Sequence, residues 1–154
     1  MKIYLLTHSR EIDRKTNTGL LALETSNGFV ERVIWDRVNP CEKLIELIKS
    51  KNTALLYPNS ESKTKFNLNH YDNIILLDAT WQEAKKMYNQ SGYLKAIDKI
   101  SLSNTQPSHY QLRKNQPKGG LCTIECVIEL FKLNGNFQTV EKLQSEFINF
   151  NNLR

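Results

Sequence analysis

Ile74-Ile75-Leu76-Leu77-Asp78-Ala79-Thr80-Trp81-Gln82-Glu83-Ala84-Lys85-Lys86-Met87-Tyr88 decides how this chain folds. Ile74 to Asp78 reads as a buried strand that ends on a carboxylate, because a short continuous apolar run suits a strand covered on both faces. After Thr80 the period changes. Trp81, Ala84 and Tyr88 fall on one side of a helix, with Gln82, Lys85 and Lys86 nearer the other. Thr80 and Glu83 have capping-box spacing, which starts that helix at Thr80. An acid, a hydroxyl, an indole and a helix N-terminus therefore meet at the carboxyl end of a strand, where open α/β sheets bind ligands.

The same alternation runs outward in both directions. Strands are expected at Ile3–Thr7, Phe29–Trp35, Ala54–Tyr57 and Lys99–Leu102, and helices at Gly19–Glu24, Cys41–Lys49, Trp81–Gln90, Thr123–Leu133 and Val140–Asn149. Asn39 is the expected cap of the second helix, with Pro40 at its first position. Asn134-Gly135 ends the helix from Thr123. Strands alternating with helices predict an α/β fold with a largely parallel sheet. With 154 residues, 40% hydrophobic and 24% charged, a single domain with one sizeable core is expected. No linker, repeat or low-complexity tract interrupts it. No apolar run is long enough to cross a membrane, and the opening Met1–His8 is too short for a secretory signal.

Cys41, Cys122 and Cys126 are an odd number at no disulfide-framework spacing, and His8, His70 and His109 show no ligand spacing. Reduced structural thiols in a cytoplasmic protein are expected, with no metal. The net charge is +5. Residues 85–118 hold Lys85, Lys86, Lys95, Lys99, Arg113, Lys114 and Lys118 against the single acid Asp98. Tyr88, Tyr93 and Tyr110 lie among them, a pattern that suits a polyanion with stackable bases. A lysine-rich solvated face gives the same charge.

Three loops should meet at the carboxyl edge of the sheet: Tyr57-Pro58-Asn59-Ser60-Glu61, Asp78-Ala79-Thr80-Trp81, and the run from Asn115 through Gly119-Gly120-Leu121-Cys122-Thr123-Ile124-Glu125. Two loops are long, Asn59–Asp72 and Ser103–Gly120. Gly119-Gly120 permits close approach of backbone to a ligand, and the N–H groups opening the next helix suit a carboxylate. Each feature also has a purely structural reading: Asp78 as a capping acid, Trp81 as core, the glycines as a turn, Glu125 as a first-turn acid complementing the helix dipole. No G-x-G-x-x-G, P-loop or serine-hydrolase elbow is present.

Asp78-Ala79-Thr80-Trp81 resembles the signature of the DTW-domain family. Thr7-His8 with Lys15-Thr16-Asn17-Thr18-Gly19, Tyr57-Pro58, Tyr110-Gln111-Leu112-Arg113-Lys114 and Gly120-Leu121-Cys122-Thr123-Ile124-Glu125-Cys126 resemble its other blocks, in the same order over roughly residues 5–131. The resemblance implies a tRNA-uridine aminocarboxypropyltransferase, which moves the 3-amino-3-carboxypropyl group of S-adenosylmethionine to N3 of a tRNA uridine. It implies a SPOUT-like fold, in which the chain can be knotted. Many members carry a cysteine-rich N-terminal segment suggestive of zinc. This sequence begins at the first strand, and Cys126 stands where alanine is usual.

On that resemblance Asp78, Thr80 and Trp81 are the expected catalytic residues, Asp78 as base or as donor-substrate ligand. S-adenosylmethionine is expected against Tyr57, Pro58, Leu77, Asp78, Ala79, Thr80, Leu112, Arg113, Gly120, Leu121, Cys122, Thr123 and Glu125. The N–H groups near Leu121–Thr123, or Arg113, would take its carboxylate. RNA is expected at His8, Arg10, Arg14, Lys15, Asn17, Lys85, Lys86, Tyr88 and Lys114, with Trp81 or Tyr88 stacking on the turned-out base. The alternatives are an S-adenosylmethionine-dependent RNA methyltransferase and a non-catalytic RNA-binding domain.

Overall fold

The computed structural model describes residues 1–50, 52–58, 62–102 and 121–152. Five strands form one sheet: β1 (Lys2–Thr7), β2 (Val30–Ile34), β3 (Thr53–Leu56), β4 (Asn73–Asp78) and β5 (Asp98–Ile100). Every pairing is parallel, in the order β2-β1-β4-β3-β5. The described helices are α1 (Gly19–Thr25), α2 (Glu42–Lys49), α3 (Trp81–Gln90), α4 (Gly92–Lys95), α5 (Thr123–Asn134) and α6 (Phe137–Asn152).

The expected strands and helices are all present, with ends shifted by a few residues. Two differences have physical causes. The second helix is capped at Cys41 rather than Asn39, because the Asp36 carboxylate takes the N–H groups of Val38 and Asn39 in a turn of its own. The short α4 lacks periodicity in the sequence and is held as a turn by the bond from Leu94 N–H to the Ser91 carbonyl. Gly135 ends α5 in the left-handed conformation, at φ 86°.

Strand period two sorts side chains to two cores. Ile3, Leu5, Ile74, Leu76, Ala54 and Ile100 face one cluster, where Ala22 of α1, Ile124, Val127 and Phe131 of α5, and Leu143 and Phe147 of α6 cover them. Tyr4, Leu6, Leu55 and Ile75 face the other, beneath Leu44 of α2, Met87 and Tyr88 of α3, and Leu94 of α4. Helices thus cover both faces of a parallel sheet. The chain leaves β1 toward β2 and leaves β4 toward β5 on the opposite side. The topological switch point therefore lies between the carboxyl ends of β1 and β4, where Thr7 pairs in register with Asp78.

Phe131 is fully buried at the centre of the first core. Phe131→Ala should lower the unfolding free energy by about 3–5 kcal/mol, read from the shift in urea midpoint at constant slope.

Candidate functional site

Strand register carries Thr7 and Asp78 onto the α1/α5 face, as the next residues after Leu5 and Leu76. Asp78 is 1% exposed, and a buried carboxylate must be paired or hydrogen-bonded. Four donors reach it. Asn17 Nδ2 at 3.0 Å and Thr123 Oγ1 at 2.8 Å donate to Oδ1. Thr7 Oγ1 at 3.0 Å donates to Oδ2, and the Arg32 guanidinium lies 3.4 Å from the same oxygen. These fill the roughly four lone-pair positions of a carboxylate. Burial pushes the Asp78 carboxyl up, and the donors with the Arg32 charge offset only part of that rise. Gly19 lets α1 come this close: a Cβ there would lie 2.4 Å from Asp78 Oδ2.

The network continues beyond Asp78. Asn17 Nδ2 also donates to Glu11 Oε1 at 3.0 Å, while its Oδ1 accepts from Arg32 and from the Leu20 N–H. Glu11 is fully buried and pairs with Arg14. Arg14 then grips Glu83 with two parallel bonds, at 2.9 and 3.0 Å. Glu83 closes the expected capping box. Its Oε1 accepts the Thr80 N–H at 3.0 Å, and Thr80 Oγ1 accepts the Glu83 N–H at 3.2 Å. Burial alone would raise the Glu83 carboxyl, but the Arg14 fork and the Thr80 bonds outweigh it and bring it down to about 2.

The other sheet face carries the rings. Trp81 is half-buried and stacks on Tyr57 at 6.0 Å, and Tyr57 stacks on Tyr88 at 4.3 Å. His8 follows β1 on this side, with its ring against Trp35 at 5.7 Å, and Trp35 is pinned by its Nε1 donating to Ser91 Oγ at 2.8 Å. The Asp78 carboxylate and the Trp81 indole, three positions apart in the sequence, thus lie on opposite faces of the sheet end.

Several expected site residues have other work. Asn17 is buried in the Asp78 network, and Arg14 is neutralised by Glu11 and Glu83 rather than free for phosphate. Tyr88 is buried beneath Tyr57, with the Lys95 and Lys99 ammonium groups over its ring at 5.7 and 5.8 Å. At the start of α5, the Cys122 N–H donates to Glu125 Oε1 at 3.1 Å and the Ile124 N–H to Thr18 Oγ1 at 3.1 Å. These two donors and the buried Glu125 thus tie the helix down. Arg10, Lys15, Lys85 and Lys86 are exposed, as is Pro58, and Leu77, Ala79, Thr80, Leu121 and Thr123 are partly so. Leu112, Arg113, Lys114 and Gly120 lie outside the described residues, as does the loop Ser103–Gly120.

Burial pushes the Cys126 thiol up to about 12 and the Cys122 thiol well up, so both are protonated near neutral pH. No three of His, Cys, Asp and Glu gather as metal ligands among the described residues, and none of the described helices is long and apolar enough to cross a membrane.

Arg32 was not singled out from the sequence, and Glu11 and Thr18 stood within polar blocks without roles of their own. The available signal was Arg32 itself, a half-buried cation beside Glu31 in a strand whose valines are buried.

A family model described as DTW domain matches residues 1–154. The tRNA-uridine aminocarboxypropyltransferase 2 of Drosophila melanogaster is 31% identical over 131 residues, which is 80% of this chain and 52% of that protein. The protein of the same name from Mus musculus is 27% identical over 89 residues, 54% of this chain and 30% of that one. The chain therefore spans about half or less of the length of these curated relatives. No solved structure matches.

Asp78→Ala would leave the Arg32 charge buried and its polar neighbours unsatisfied, so it should cost about 3–5 kcal/mol of stability, read by chemical denaturation. The Glu83 carboxyl falls from 4.5 to about 2 on folding. Its contribution is therefore complete above the unfolded value and is lost as pH falls from about 4.5 toward 2. The stability difference between the wild type and Glu83→Gln should accordingly be constant near neutrality and shrink across that window in a pH series of melts.

Proposed function

The chain belongs to the DTW-domain family, and from that membership we propose that it transfers the 3-amino-3-carboxypropyl group of S-adenosylmethionine to N3 of a uridine in tRNA. One observation carries this reading. Thr7 and Asn17, Asp78, and Thr123 belong to three separate blocks of the family resemblance, and all three blocks converge on one carboxylate at the β1/β4 switch point.

Fit to the donor substrate rests on the same bond. Thr123 draws the start of α5 onto the end of β4, so Leu77–Thr80 and Leu121–Thr123 form neighbouring walls of one cleft. Tyr57 and Pro58, which follow β3, border β4. When bound there, S-adenosylmethionine supplies an electrophilic methylene beside its sulfonium. Selecting that carbon over the methyl is a matter of positioning. Asp78, with its acceptor positions filled, acts as the anchor of these walls rather than as a proton acceptor. Trp81, half-exposed and backed by Tyr57, is the platform for the turned-out base. Arg10, Lys15, Lys85 and Lys86 contact phosphate, which makes tRNA affinity fall with salt.

Incubating the purified protein with unmodified tRNA and S-adenosylmethionine, then digesting the tRNA for nucleoside mass spectrometry, tests this. A uridine heavier by an aminocarboxypropyl group, with methylthioadenosine released, is the expected result. A methylated nucleoside would reverse the regiochemistry. An unchanged digest across several tRNA pools would leave RNA binding alone.

A further inference from the structure

Resting on the reading above, we propose that His8 is a catalytic residue. In this role its imidazole donates a hydrogen bond from Nε2 to a carbonyl oxygen of the target uracil and stabilises the N3 anion. The donor atom follows from geometry. The Arg10 N–H donates to His8 Nδ1 at 3.1 Å, so Nδ1 carries a lone pair and the single ring proton sits on Nε2. Glu83 does not compete for Nδ1, on two counts. Glu83 Oε2 lies 3.8 Å from Nδ1, beyond hydrogen-bond reach. That oxygen is already held by Arg14. A proton on Nδ1 would also face the Arg10 N–H.

The ring is fixed in place and its working atom is open. His8 N–H donates to the Asp78 carbonyl at 3.1 Å, and Trp35 covers one ring face. Nε2 has no partner among the described residues, and it is not among their buried unsatisfied atoms. The imidazole is therefore a held ring at the carboxyl end of β1 with Nε2 as its remaining donor. It lies on the α3 side of the sheet, the face that carries Trp81. The charged groups around it are Glu83 of α3, Arg10, Glu11 and Arg14 of the segment after β1; the Asp78 carboxylate is turned to the opposite face.

The chemistry needs such a donor. Uridine N3–H must lose its proton, which is released to water, and the resulting charge spreads onto O2 and O4. The N3 lone pair forms the bond to the donor methylene. The carbon–sulfur bond breaks, and its electron pair leaves with neutral methylthioadenosine. A donor aimed at O2 or O4 makes its strongest bond when that anion forms.

The test compares wild type, His8→Ala and His8→Gln on two tRNA transcripts, one with uridine and one with 5-fluorouridine, whose N3–H is the stronger acid. His8→Ala should lower kcat roughly 100- to 1,000-fold on uridine, well beyond any change in tRNA affinity, and lower the melting temperature modestly because the cap on the Arg10 N–H is lost. Its loss on 5-fluorouridine should be smaller by about tenfold, because an easier anion needs less stabilisation. His8→Gln, which keeps an N–H donor near Nε2, should recover part of the rate. An equal loss on both transcripts would mark a structural role and overturn the inference, as would wild-type turnover in His8→Ala. Absence of transfer by the wild type on either transcript would instead sink the transferase reading, and this inference with it.

Discussion

A single carboxylate, withdrawn from water at the end of a central strand, sets the arrangement of everything around the cleft. Left unpaired, a charge buried to the extent of Asp78 would not be tolerated. Its donors come from β1, the loop before α1, β2 and the first turn of α5. Satisfying one charge therefore fixes four segments relative to β4. The demand reaches the backbone as well, since α1 packs so close that only a glycine fits at position 19. The same bond set explains how Thr7, Asn17, Asp78 and Thr123, far apart in the chain, act together.

The network does not stop at the sheet. Asn17 hands over from Asp78 to Glu11, Arg14 from Glu11 to Glu83, and Glu83 to the Thr80 N–H that opens α3. Buried polar chains of this kind specify one arrangement rather than many, and in this one Arg32 Nε is the buried side-chain atom left without a partner among the described residues. They also link the two faces of the sheet end. The carboxylate side holds α1 and α5 in place, and the ring side presents Trp81 and His8. Acid and indole, three positions apart in the sequence, divide the work: one anchors the walls, the other receives the base in the proposed reaction.

Much of this was legible in the chain. The apolar run Ile74–Leu77 marked the central strand, and the Thr80/Glu83 spacing gave the start of α3 and its capping box. Gly135 gave the end of α5. The recurrence of Ile124, Val127, Ile128 and Phe131 gave its buried face. What the chain did not show was the partners of individual side chains. Arg14, Tyr88 and Glu125, expected at phosphate, base and donor substrate, each have partners within the protein.

The division has a physical basis. Features the sequence determined depend on residues two to four apart: strand pleat, helix period, caps and turns. Their energies are local and their patterns repeat. What only the tertiary structure decided depends on contacts between residues far apart in the chain: Asn17 with Asp78 at 61 positions, Thr7 with Asp78 at 71, Ile124 with Thr18 at 106. Strand order brings those residues together, and the packing of α5 on one face and α3 on the other puts Asp78 and Trp81 on opposite sides. Neither arrangement is written in any local window. The motif named the residues, and the parallel sheet assigned them to its two sides.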